Sequence, residues 1–172
     1  MKKFILGAIV FTMLFACCHH EKDECCSKGK DMKAQYEKNL ATVKAAVAAF
    51  EKKDMDAFST FVADDVVWHS PAYGDTVTTK AHWLETLKMF QANWTSFQLN
   101  DYTYLPGVDS ATMQMDGSVR YYGRWDGVHK SGTATHTNFY GTYDFNKDNK
   151  IVDAAEYFDL GGMMMAVGPK AK

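Results

Sequence analysis

The hydrophobic period of this chain changes once, near Thr95, and that change limits the folds open to it. Before it, Tyr36, Leu40, Val43, Val47 and Phe50 recur at spacings of 4, 3, 4 and 3. That is one apolar stripe on a helix from about Met32 to Lys53. Trp83, Leu87, Phe90 and Trp94 repeat the helical spacing, with Thr78 or Thr79 as the cap. Between them Asp54 caps a short helix through Phe58 and Phe61, and Val66 to His69 reads as a short strand stopped by Pro71 and Gly74. After Thr95 the period is 2. Phe97, Leu99, Tyr102 and Tyr104 form one strand, closed by Pro106-Gly107. Ala111, Met113 and Met115 alternate with polar residues, and Asp116-Gly117 is either a hairpin turn or a bulge in one long strand. Val119 to Trp125 continues that strand, and a turn with Gly127 and Gly132 follows. Thr133 to Phe145 and Ile151 to Phe158 are the last two strands. Gly161-Gly162 ends the fold, leaving 163–172 as a tail. Helices first and a strand meander afterwards predict an α+β fold, with the helices on one face of a mostly antiparallel sheet.

The N-terminus follows a different logic. Lys2 and Lys3 precede an almost unbroken apolar run of 12 residues, Phe4 to Phe15. A bilayer-spanning helix needs about 20 residues, so this run has the length of a signal-peptide core. It ends in Leu14-Phe15-Ala16-Cys17, which resembles the bacterial lipobox. The resemblance implies cleavage after Ala16 and a lipid on Cys17. The protein is then expected in the bacterial cell envelope, on the periplasmic or the surface face of the outer membrane. It would be anchored to the membrane, not spanning it. Residues 17–33 are polar and without period, and read as a lipidated flexible tether. As a coil it would hold the domain roughly 20 to 24 Å from the membrane and let it sample the bilayer surface.

All four cysteines, Cys17, Cys18, Cys25 and Cys26, precede residue 27, so no disulfide staples the domain. Cys18, Cys25 and Cys26 with His19 and His20 include soft-metal ligand types. Adjacent Cys-Cys and His-His pairs are not zinc-site spacing, and no metal is expected. The net charge is -2, so no basic surplus is available for phosphates and no nucleic-acid partner is expected. Phosphate-loop, G-x-G-x-x-G, G-x-S-x-G and H-E-x-x-H patterns are all missing, and no cofactor is expected.

Val47 to Phe58, with Glu51-Lys52-Lys53-Asp54 at its centre, followed by Ala63-Asp64-Asp65-Val66-Val67-Trp68, resembles the opening of the nuclear transport factor 2-like superfamily. Gly123-Arg124-Trp125-Asp126-Gly127 with Ser131-Gly132, then Phe145-Asn146-Lys147-Asp148-Asn149-Lys150-Ile151-Val152, are similar to its SnoaL-like polyketide cyclase branch, as is the close Glu156-Tyr157-Phe158-Asp159. The likeness covers roughly residues 34–162. It implies a curved sheet wrapped as a cone around the long first helix, with two further helices and a pocket inside. Ketosteroid isomerases of the superfamily use a tyrosine and two aspartates that fall here on Ala46, Ser70 and Gly141, so their mechanism is not expected. The cyclase branch has an acid/base carboxylate in the last strand, a place held here by Glu156.

Strand alternation puts Ala154, Glu156 and Phe158 on one face, which the resemblance implies is the pocket face. Glu156 is the candidate acid/base, because a carboxyl among aromatics loses hydration and holds its proton more tightly. Trp68, His69, Ser70, Trp83, Phe139, Tyr143 and Phe158 are the candidate pocket residues. His69 is the exception in phase, facing away if Trp68 and Ser70 face in. His136, Asn138 and Tyr140 share the opposite face of their strand, where the superfamily often pairs two copies, so a homodimer is a possible assembly. The leading expectation is a lipid-anchored protein that binds a small, largely apolar molecule. The alternatives are an isomerase, cyclase or dehydratase using Glu156, or a dimeric interaction module without chemistry.

Overall fold

The computed structural model describes the backbone of residues 17–168 and the side chains of residues 31–168. The signal segment lies outside these residues, as do the side chains of Cys17, Cys18, Cys25 and Cys26. The element order is α1 (Cys17–Glu51), α2 (Met55–Thr60), β1 (Val62–His69), α3 (Lys80–Asn93), β2 (Trp94–Val108), β3 (Met115–His129), β4 (Ala134–Phe145), β5 (Ile151–Phe158) and α4 (Leu160–Val167). Five strands form one curved, unclosed sheet in the order β1-β5-β4-β3-β2. β1 runs parallel to β5, and every other pair is antiparallel. The expected α+β cone is therefore present.

The core explains the wrap. Val43, Ala46 and Ala49 of α1 are buried with Trp83, Leu87 and Phe90 of α3. The two alanines keep the bulk of α1 low where it crosses the sheet. Asn39, itself buried, donates from Nδ2 to the Gly117 carbonyl at 2.8 Å, and Gln35 Nε2 donates to Asn149 Oδ1 at 2.9 Å. These bonds fix the other half of α1 to the β3 bulge and the β4–β5 turn. Asp54 caps α2 through the Ala57 N–H, and Thr79 caps α3 through the His82 N–H.

Four readings of the sequence are corrected. The stretch 17–33, expected as a flexible tether, is helical backbone that makes α1 35 residues long. Its lysines, glutamates and methionine are good helix formers, and Lys33 pairs with Glu37 at 4.0 Å one turn on. Asp116-Gly117 is not the hairpin turn. Gly117 sits in β3 at a positive φ of 84°, where the β2–β3 register shifts, so the bulge reading holds. The reversal falls instead at 109–114. There Asp109 Oδ1 accepts from the Ala111 and Thr112 N–H groups, and Ala111 and Met113 are turn residues. Gly127 lies within β3, paired with Phe97 and Thr135, and the next turn holds only Gly132. Finally, 163–172 is not simply a tail. Asp159 accepts from the Gly162 N–H and starts a further helix, α4, through Val167.

Candidate functional site

The inner face of the cone takes alternate residues from three strands. In β3 and β4 these include Val119, Tyr121, Thr137, Phe139 and Tyr143, all buried. In β5 they are Ala154 and Glu156. Register aligns Tyr121 with Gly141, and Gly141 with Glu156, in one row across the sheet. Gly141 is what lets that row close. A Cβ there would lie 2.7 Å from Tyr143 Oη and 2.8 Å from Phe139 Cε1, so both rings fold over the space a side chain would fill. Tyr121 stacks on both, at 5.0 Å from Phe139 and 5.8 Å from Tyr143. Phe158 stacks on Phe139 at 5.7 Å.

These residues enclose a cavity of about 90 Å³. Its helical walls come from α1 (Val43, Ala46, Val47, Phe50), Phe58 of α2, α3 (Trp83, Leu87, Phe90) and Met163 of α4. Phe50, Phe97, Trp125, Phe158 and Met163 remain half-exposed and mark its open side. The volume exceeds the space of a few waters and falls short of the ~150 Å³ engineered cavity that admits benzene.

Among the described residues, Glu156 is the only carboxyl on the lining, and no Lys, Arg or His lines it. Trp68 Nε1 donates to its Oε2 at 3.3 Å, and Tyr143 Oη donates to its Oε1 at 3.5 Å. Desolvation pushes the Glu156 carboxyl up to about 7, against the opposing pull of N–H and O–H donors from Trp68, Tyr143 and Trp83. The Trp83 Nε1 is buried and, among the described residues, makes no hydrogen bond of proper geometry, so its N–H favours the Glu156 carboxylate less than those of Trp68 and Tyr143. Burial pushes the phenols of Tyr121 and Tyr143 well above their ordinary value, so both stay neutral donors. A half-ionised carboxyl beside neutral phenols can take a proton from a bound molecule and return it, and can pair with a cation.

Of the expected site residues, Glu156, Trp83, Phe139, Tyr143 and Phe158 come together on the cavity wall. Trp68 does not line the cavity. It sits one layer back, stacked on Trp83 at 5.9 Å, and reaches the site through Glu156. His69 and Ser70 are not in the site. With Trp68 turned inward, alternation turns His69 outward, where its Nε2 lies 3.3 Å from Asp153 Oδ2. Ser70 is past the end of β1, and its Oγ accepts from the Ala72 N–H at 3.2 Å in the turn that Pro71 starts. His136 and Asn138 are exposed on the outer sheet face. Tyr140 stacks there between Tyr122 (4.6 Å) and Tyr157 (5.7 Å).

Tyr121 and Thr137 were legible by extending the period-2 alternation of β3 and β4 inward. Met163 had no such signal, because its helix is short and no heptad or strand pattern marks it.

No curated protein matches the chain. Solved structures with this fold include a protein from Xanthomonas campestris named as a polyketide cyclase, at 20% identity and a TM-score of 0.63, covering 78% of this chain and 99% of that one. A protein from Bacillus subtilis named as an isomerase has 20% identity and a TM-score of 0.64, covering 79% and 96%. A nuclear transport factor 2-like protein of unknown function from Burkholderia pseudomallei has 16% identity and a TM-score of 0.63, covering 77% and 98%. At such identities the likeness speaks for the fold. The family model for the SnoaL-like domain matches residues 43–154, from the cavity half of α1 into β5. The chain belongs to the SnoaL-like domain family.

Proposed function

We propose that the protein binds a small, largely apolar molecule in the cone cavity. The observation that carries this reading is the space of about 90 Å³, open on one side, walled by aromatic rings and, among the described residues, holding a single carboxyl. The volume bounds the ligand. Sterols and lipids exceed it, and a compact molecule smaller than benzene fits. Thermal unfolding of the protein with a panel of small apolar compounds tests this. Stabilisation by compact members and not by bulky ones is expected, and no stabilisation by any compound overturns it.

A second reading is enzymatic, and the pKa near 7 at Glu156 favours it. Glu156 would be general base and then general acid in an isomerase, cyclase or dehydratase reaction on a carbonyl compound. Its partner would be the Tyr143 phenol, not His69 or Ser70. Deuterium exchange at the carbon beside the carbonyl of small ketones, followed by NMR, is the assay. Exchange that survives Glu156→Gln unchanged removes this reading.

The proposed setting is the bacterial cell envelope, with the lipid on Cys17. The continuous helix supports a rigid stalk: from Cys17 to Asp31 it rises about 20 Å, and Val43, the first cavity residue of α1, is about 40 Å from Cys17. The cavity therefore lies well away from the anchor, so its ligand would arrive through solution and not directly from the anchoring bilayer. Metabolic labelling with a palmitate analogue should mark the wild type and not Cys17→Ala. An unlabelled wild type refutes the anchor.

The outer sheet face of His136, Asn138 and Tyr140, with Tyr140 stacked between the exposed Tyr122 and Tyr157, is the surface on which a homodimer would pair. Light scattering at micromolar concentration tests it, and a monomer there counts against the dimer.

A further inference from the structure

Glu156 is the one group of the cavity that the fold leaves without a charge partner. Among the described residues no salt bridge includes it, and α1 brings only apolar side chains to the site. What does face it is a set of donors: Trp68 Nε1 from β1, Tyr143 Oη from β4, and the unbonded Trp83 Nε1 from α3. An indole nitrogen only donates, so two of these three groups have nothing to offer the hydrogen of a neutral carboxyl. This shell fits a carboxylate. Tyr121, from β3, stays neutral and adds no second charge.

A carboxylate held by dipoles alone in an apolar wall is expensive to keep, and an opposite charge removes most of that cost. The rest of the wall suits such a charge. Tyr121, Phe139, Tyr143, Phe158 and Trp83 all line it, and an aromatic ring attracts a cation that reaches its negative face. The apolar remainder favours alkyl groups over a hydrated ammonium, whose water would have no partners there. The volume admits only a compact head group.

We propose that the cavity receives a small, compact alkylammonium cation, paired with Glu156 inside the aromatic wall. This rests on the reading of the cavity as a small-molecule site and names the class of ligand it takes.

Isothermal titration of the purified full-length protein at constant ionic strength tests it. The probes are tetramethylammonium chloride, tert-butanol as a neutral molecule of similar shape, and tetraethylammonium chloride as an oversized cation. Tetramethylammonium should bind at least about tenfold more tightly than tert-butanol, with tetraethylammonium excluded. Its affinity should rise about tenfold from pH 6 to pH 8, as Glu156 ionises across a value of about 7. Glu156→Gln should lose the preference for the cation and keep the binding of tert-butanol. If that variant does not fold, the pH series on the unaltered protein carries the test. Tert-butanol binding as tightly as the cation, or cation affinity that is flat or falls with pH, overturns this inference and leaves the small-molecule pocket standing. Compact neutral compounds and cations all failing to bind overturns the pocket reading beneath it.

Discussion

Trp68 and Glu156 meet across 88 positions of sequence, the indole N–H of one donating to the carboxyl of the other at 3.3 Å. Parallel pairing of β1 with β5 makes this contact, with Trp68 opposite Ala154 in the register. Trp68 is almost fully buried, so the donor is fixed in place and out of water. Replacing the indole by a ring with no N–H, as in Trp68→Phe, takes away a group that favours the carboxylate. The Glu156 carboxyl should then rise above its value of about 7, as read by carboxyl-carbon NMR titration. A titration that does not move would show that Trp68 serves packing alone.

Stability should fall as pH rises toward neutrality. The Glu156 carboxyl is raised from 4.5 to about 7 on folding, so the folded state holds a proton that the unfolded chain gives up. Its contribution is complete below about pH 4.5 and is lost as pH rises through 7. The full span is on the order of 3 kcal/mol. Urea unfolding between pH 5 and pH 8 should show this slope in the wild type and a flatter one in Glu156→Gln. Parallel slopes would place the titrating group elsewhere.

Gly141→Ala should destabilise the cone. The added Cβ would meet Tyr143 Oη and Phe139 Cε1 well inside contact distance, and both rings are buried against Tyr121. Overpacking of this kind costs about 1–3 kcal/mol. A lowered urea midpoint at unchanged slope is the expected result.

Asn39→Ala should cost about 1–3 kcal/mol, because it removes the donor to the Gly117 carbonyl at a buried site. Asn39→Asp should do no better, since a carboxylate cannot donate to that carbonyl. Chemical unfolding of both variants measures it.

Met163→Ala should widen the open side of the cavity with little effect on the core, because α4 buries no residue fully. The size limit for stabilising ligands in the thermal panel should relax toward larger rings. An unchanged limit would show that the walls from α1, α3 and the sheet set it alone.

Local patterns carried most of the fold. The 4-3-4-3 stripe of α1, the second stripe of α3 and the alternation of β4 and β5 each depend on near neighbours, and each lies in an element of the predicted kind, although α1 begins at Cys17, well before its stripe. The inward phase of β5 already put Glu156 and Phe158 on one face. Elements without a period were not legible. α4 is a single short helix started by the Asp159 cap, and the 109–114 reversal is built from local hydrogen bonds to Asp109.

What the sequence by itself determined is the set of amphipathic faces, because hydrophobic spacing alone dictates which residues share a side of a helix or strand. What only the tertiary structure decided is which faces meet. The parallel β1–β5 register brought Trp68 to Glu156 and sent His69 to Asp153 on the outside. The row from Tyr121 over Gly141 to Glu156 depends on two further registers and on rings that fold into a missing side chain. Burial of Glu156, and with it the raised hold on its proton, is a property of how four strands and four helices surround one space. Desolvation sums over everything packed around a group, and most of what surrounds Glu156 lies far from it along the chain.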